Sequence, residues 1–144
     1  MVFPAARAKP KLLDFSGAVV VVSDNVSTLE KKSASVLIEE IERRTRIQLP
    51  LQSSMPEKNI SAFVVCSERN LDRIDEPLKN ELNKLEKPGS EGYRLLVVDS
   101  SAPVALMIGS DSRGTLYAVG AFLRRMRWDI NALKLPANIS VSST

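Results

Sequence analysis

Residues 91–128 read EGYRLLVVDSSAPVALMIGSDSRGTLYAVGAFLRRMRW, and this stretch constrains the fold more than any other. Two apolar runs, 92–99 and 104–109, are separated by a short link holding Pro103. A link that short joins neighbouring strands only as an antiparallel hairpin. The first run alternates Tyr93, Leu95 and Val97 with Arg94, Leu96 and Val98. Only its early member is charged, so the strand is expected to be covered on both faces and to lie inside a sheet. Gly109 closes the second run, where a missing side chain lets backbone pass close by. Ser110-Asp111-Ser112 then offers acceptors to the free N–H groups of a helix, with Asp111 the expected cap and Gly114 in its first turn. Along that helix Leu116, Val119, Leu123 and Met126 form one stripe, and Gly120 suggests close packing on the sheet. Tyr117, Ala121 and Trp128 form a second patch that packing on a sheet alone does not require.

The upstream half supplies more strands and helices. The Val-rich run 18–23 predicts a strand covered on both faces. Ser27-Thr28-Leu29-Glu30 fits a capping box and opens a helix to about Thr45, with Ala34, Leu37, Ile38 and Ile41 on one face. Residues 49–59, holding Pro50 and Pro56, predict a loop or an irregular edge. A strand at 61–66 completes a βαβ unit with a right-handed crossover. Leu78, Leu82 and Leu85 predict a helix over 75–87, with Asp75 at its start and Lys87-Pro88-Gly89 at its end, a long ordered loop being the alternative. Together these give an α/β (α+β) two-layer sandwich: a mixed β-sheet with an antiparallel hairpin, and two or three helices packed against it. The expected divisions are a leader or edge segment at 1–13, one domain at 14–135, anchored late by Leu133 and Leu135, and a flexible tail or linker at 136–144.

The chemistry a chain can perform is limited by what it holds. There is no histidine and a single cysteine, Cys66. The usual general base and metal ligand are therefore missing, and no disulfide can form within the chain. Cys66 sits in an apolar run and reads as a small buried hydrophobe. Asp24 and Asp99 end strands and Asp111 opens a helix, so these acids read as turn and cap residues. No two acids share an element in the way a paired-carboxylate mechanism needs. The 109–114 turn lacks the glycine spacing of a dinucleotide fingerprint and the Gly-Lys-Ser/Thr ending of a P-loop. No catalytic, cofactor-binding or metal-ligating residue is assigned. A formal charge of +3 is weak grounds for a polyanion partner. Neither arginine cluster, 43–46 or 124–127, has the interleaved aromatics of a nucleic-acid site, so no nucleic acid is expected. No apolar run approaches the roughly 20 residues of a membrane span. Asn25, Asn59 and Asn138 head short glycosylation patterns, which carry little without a secretory context.

The EGYRL run, the strand ending at Gly109, the Ser-Asp-Ser-Arg-Gly turn and the LYAVGAFLR helix start resemble a small domain that precedes the catalytic barrel of certain glycoside hydrolases. The nearest resemblance is to the N-terminal domain of the β-N-acetylhexosaminidases, and a related domain precedes the α-glucuronidase barrel. The clear match covers residues 91–127. Gly92 and Tyr93 match the hairpin start; Asp111, Arg113 and Gly114 the turn; Leu116, Tyr117 and Gly120 the helix. The resemblance implies scaffolding, because in that family the catalytic carboxylates belong to the barrel that follows. It implies a non-catalytic accessory domain whose partner is the catalytic domain of the same polypeptide, and a parent enzyme that is secreted, periplasmic or on the cell surface. Tyr117, Phe122, Arg124 and Trp128 are the expected contacts with that partner, since aromatics and arginine are enriched at interfaces, with core the equal alternative for Phe122. The alternative is a free-standing module that binds a glycan through Trp128 and Tyr117, or a polyanion through its arginines.

Overall fold

The computed structural model describes residues 11–57 and 59–143. The β-branched runs form strands where their pattern predicts. In chain order the elements are β1 (Leu12–Asp14), β2 (Val19–Val21), α1 (Thr28–Thr45), β3 (Leu51–Gln52) and β4 (Ala62–Ser67). A 3-10 helix (Glu68–Arg73) and α2 (Glu76–Leu82) lead to β5 (Tyr93–Val98), β6 (Val104–Gly109) and α3 (Ser112–Leu123). The chain ends in β7 (Arg127–Asp129), β8 (Ala132–Pro136) and β9 (Ser140–Ser143).

Six strands make the main sheet in the order β3-β2-β4-β6-β5-β9. β3, β2, β4 and β6 run parallel, and β5 and β9 pair antiparallel to their neighbours. The hairpin register puts Tyr93 opposite Gly109 and Val98 opposite Val104. A second sheet, β1-β8-β7, is antiparallel. The fold is thus the expected mixed α/β arrangement.

Alternation along the strands builds two cores. One face carries Val20, Phe63, Val65, Leu95 and Met107 against Leu37, Ile41, Val119 and Phe122 of α1 and α3. Phe63 lies tilted against Phe15, with ring centroids 4.9 Å apart, and meets Phe122 edge-on at 6.3 Å. The other face carries Val21, Val64, Leu96, Leu106 and Ile108 beneath Ile74, Leu78 and Leu82. Covering both faces is what lets the middle strands be apolar throughout.

Helix ends follow local chemistry. Ser27 and Glu30 form the complete capping box of α1, and Arg46 ends it in the left-handed region at φ 65°. α2 is shorter than its leucine spacing predicts. Lys84 and Leu85 donate back to Glu81 and Leu82, an i→i+3 tightening that closes the helix after Leu82. Asp75 holds the cap position without a side-chain bond.

Two expectations are corrected. Residues 136–144, expected as a loose tail, include β9, whose Val141 lies opposite Leu95. Gly120 does not sit against the sheet. A Cβ there would meet only the tip of Arg124, at 3.8 Å. Of the expected stripe, Val119, Leu123 and Met126 are buried and Leu116 is half-buried, while Ala118, Ala121 and Phe122 widen the buried face of α3.

Candidate functional site

In parallel α/β sheets, sites form where strands end and helices begin. Here that region joins the ends of β4 and β6 to the starts of α1 and α3. It brings together Gly109, Asp111 and Gly114, as the sequence suggests, and adds Glu91 and Gly92. Asp111 Oδ1 accepts the Gly114 N–H at 2.8 Å and Oδ2 accepts the Glu91 N–H at 2.9 Å. These backbone donors, Gly114 first and Glu91 next, hold its carboxyl below the usual range. The Ser110 N–H donates to the Gly92 carbonyl at 2.9 Å. A Cβ on Gly114 would collide with that same carbonyl oxygen, and one on Gly109 with the Thr115 backbone nitrogen. Glycine is therefore required at both positions by close approach.

Glu30 does more than cap α1. Its Oε2 accepts the Ser27 N–H at 2.8 Å and its Oε1 accepts the Ser67 N–H at 2.7 Å, tying the helix start to the end of β4. Burial pushes this carboxyl up, but the bonds from Ser67 and Ser27 outweigh it and leave it below its ordinary value. Ser27 and Ser112 hydroxyls meet at 2.7 Å and link the two helix starts. Asp99 pairs with Lys11 at 3.2 Å. At the opposite end of the sheet from this region, that acid is thus spent on lysine, while within the region Asp111 and Glu30 spend their oxygens on backbone and Glu91 pairs with Arg113 at 3.0 Å. Among the described residues, no three His, Cys, Asp or Glu side chains are grouped to hold a metal.

The expected contact residues fall in different surroundings. Tyr117 stands out from α3 at 47% exposure. Leu116 and Gly120 are partly exposed and Arg124 is exposed, so residues three and four apart make an outward stripe on α3. Phe122 is not on this surface. It is fully buried in the core, because it lies on the sheet side of the helix. Trp128 is half-buried against that core, with the Arg44 guanidinium 4.5 Å from its ring centroid.

Two features escape sequence reasoning. Arg94 is 2% exposed and forms an ion pair with Glu68, while its Nη1 donates to the Leu82 carbonyl at 3.3 Å. A lone arginine inside an apolar strand was the available signal, since arginine is rarely buried unpaired. The second is a cavity of about 420 Å³ at the carboxyl end of α3, lined by Arg124, Arg125 and Arg127 and by the segment leading into β9.

No family pattern and no curated protein matches this sequence. Solved structures do share its fold. The GH20 β-N-acetylhexosaminidase of Streptomyces coelicolor A3(2) superposes with a TM-score of 0.60 at 17% identity, over 94% of this chain and 23% of that one. CpGH84B gives 0.58 at 18% identity, over 94% and 20%. BtGH115A, a 4-O-methyl-α-glucuronidase with specificity for decorated arabinogalactans, gives 0.52 at 16% identity, over 78% and 14%. At these identities the likeness is one of fold. The chain spans less than a quarter of the length of these proteins. The class so defined is a mixed α/β fold that these larger chains also contain.

Proposed function

We propose that this chain is a non-catalytic accessory domain of a larger carbohydrate-active glycoside hydrolase, packed against its catalytic domain through the outward stripe of α3. The observation that carries this reading is the disparity in coverage: 94% of this chain against 20–23% of GH84 and GH20 chains several times its length. Gly120 supports the docking face. A glycine inside a helix costs about 0.5–1 kcal/mol relative to alanine. Gly109 and Gly114 have an internal reason for lacking a side chain; Gly120, beside exposed Tyr117, has none within the described residues. A partner approaching closely at that point supplies one. Tyr117 is the side chain assigned to the contact. Trp128 is assigned its rim, and Phe122 supports it from within the core.

The test is the natural polypeptide that carries this sequence. Its intact mass is expected to exceed this chain by at least a barrel of roughly 250 residues. Turnover of aryl N-acetylglucosaminides or glucuronides is expected from that added part and not from residues 1–144. A natural polypeptide ending near Thr144, or turnover by this chain alone, overturns the proposal.

A further inference from the structure

We propose that the cavity at the carboxyl end of α3 is a binding site for the anionic group, a uronate or a sulfate ester, of an acidic saccharide. Its volume of about 420 Å³ lies within the roughly 300–1,000 Å³ of small-molecule sites. Arg124, Arg125 and Arg127 line it, together with Asn138, Ile139 and Ser140. The pairing of charges sets these arginines apart. Arg43 and Arg44 are paired with Glu40, Arg94 with Glu68 and Arg113 with Glu91. Arg124, Arg125 and Arg127 have no ion-pair partner among the described residues. Three like charges around one cavity repel. The carboxyl end of α3 offsets only about half a charge, and a bound anion removes much of the remainder.

Both walls are held in place before any ligand arrives. Arg125 Nη1 donates to the Ala121 carbonyl at 2.9 Å, which fixes its guanidinium at the helix end. Opposite, the Val97 N–H donates to the Ile139 carbonyl at 3.0 Å, and Ser140 begins β9 opposite Leu96. Guanidinium forks match the paired oxygens of a carboxylate or a sulfate. The Asn138 amide and Ser140 hydroxyl offer uncharged donors and acceptors suited to ring hydroxyls. The anionic part of the inference rests on this cavity alone; the saccharide part rests on the accessory-domain reading.

The experiment titrates the 144-residue chain calorimetrically with an oligogalacturonate, a chondroitin sulfate oligosaccharide, a neutral chito-oligosaccharide and inorganic sulfate. At least one acidic oligosaccharide is expected to bind, and which one identifies the group. The neutral one is expected not to bind. Binding should weaken as ionic strength rises from about 0.01 to about 0.15 M, where the screening length falls from about 30 to about 8 Å. Arg124→Gln/Arg127→Gln removes two exposed side chains and should leave the melting temperature unchanged while weakening binding at least about tenfold. Failure of both acidic sugars to bind, or undiminished binding by the double variant, overturns the inference. Inorganic sulfate binding as tightly as the sugars overturns its saccharide part. Neither result bears on the accessory-domain reading, which the natural polypeptide decides.

Discussion

The same substitution at two glycines of α3, six residues apart, should change stability in opposite directions. In a helix alanine is favoured over glycine by about 1 kcal/mol. At Gly120 nothing opposes that gain, because the new Cβ meets only the end of a flexible arginine at 3.8 Å. Gly120→Ala should therefore stabilise this chain by about 0.5–1 kcal/mol. At Gly114 the Cβ runs into the Gly92 carbonyl oxygen, and Gly92 itself is hemmed in by Pro88 and by the Ser143 carbonyl. Forcing those backbones apart costs about 1–3 kcal/mol. The displacement also loosens the Ser110 bond to Gly92 and the two bonds to the Asp111 carboxylate, worth about 1–3 kcal/mol more. After the helix gain is subtracted, Gly114→Ala should lose roughly 1–5 kcal/mol. Urea unfolding followed by far-ultraviolet circular dichroism reads both. The midpoint should rise for Gly120→Ala and fall clearly for Gly114→Ala, with the slope unchanged. A Gly114→Ala midpoint at or above that of the unsubstituted chain refutes the packing argument. A destabilised Gly120→Ala shows that Gly120 faces something inside this domain.

Acid should weaken the fold through Asp111 and Glu30. Both carboxyls sit below their ordinary values of 3.8 and 4.5, so their contribution is complete above those values and lost as pH falls through the lower folded values. Urea midpoints measured downward from pH 6 should fall, and Glu30→Gln or Asp111→Asn should be less stable at pH 6 and flatter with pH. Glu68→Ala leaves the Arg94 charge buried and should cost about 3–5 kcal/mol, whereas Glu68→Ala/Arg94→Met should recover most of it in the same unfolding assay. Trp128→Ala should lower stability by about 2 kcal/mol, since the side chain is partly buried against the core and the Arg44 guanidinium lies over its ring. An unchanged melting temperature would place Trp128 outside the core.

Much of the architecture was legible because its signals are local. The capping box of α1, the β-branched strands, the hairpin ends and the Asp111 cap each depend on residues within a few positions of one another. The misreadings are those that depend on distant partners. β9 has the sequence Ser-Val-Ser-Ser, which carries no strand pattern; the open edge of β5 supplies the pairing. On α3 the stripe of Leu116, Val119, Leu123 and Met126 is buried but for Leu116, and its full width is not visible in that spacing. The buried face also takes in Thr115, Ala118, Ala121 and Phe122, and leaves Leu116 and Gly120 only partly covered. Arg94 and Glu68 are 26 positions apart, and nothing near Glu68 announces the pairing. The arginine cavity was visible only as three charges. The segment that closes it, residues 136–141, reads as a tail until its strand is seen.

The accessory-domain account turns on whether the outward face of α3 is covered in the natural polypeptide. Hydroxyl-radical labelling of Tyr117 tests this directly, comparing this chain with its full-length parent. In the isolated chain Tyr117 is 47% exposed and should label readily. The account predicts that labelling falls at least severalfold in the parent, with buried Phe122 low in both. Equal labelling of Tyr117 in the two would contradict it.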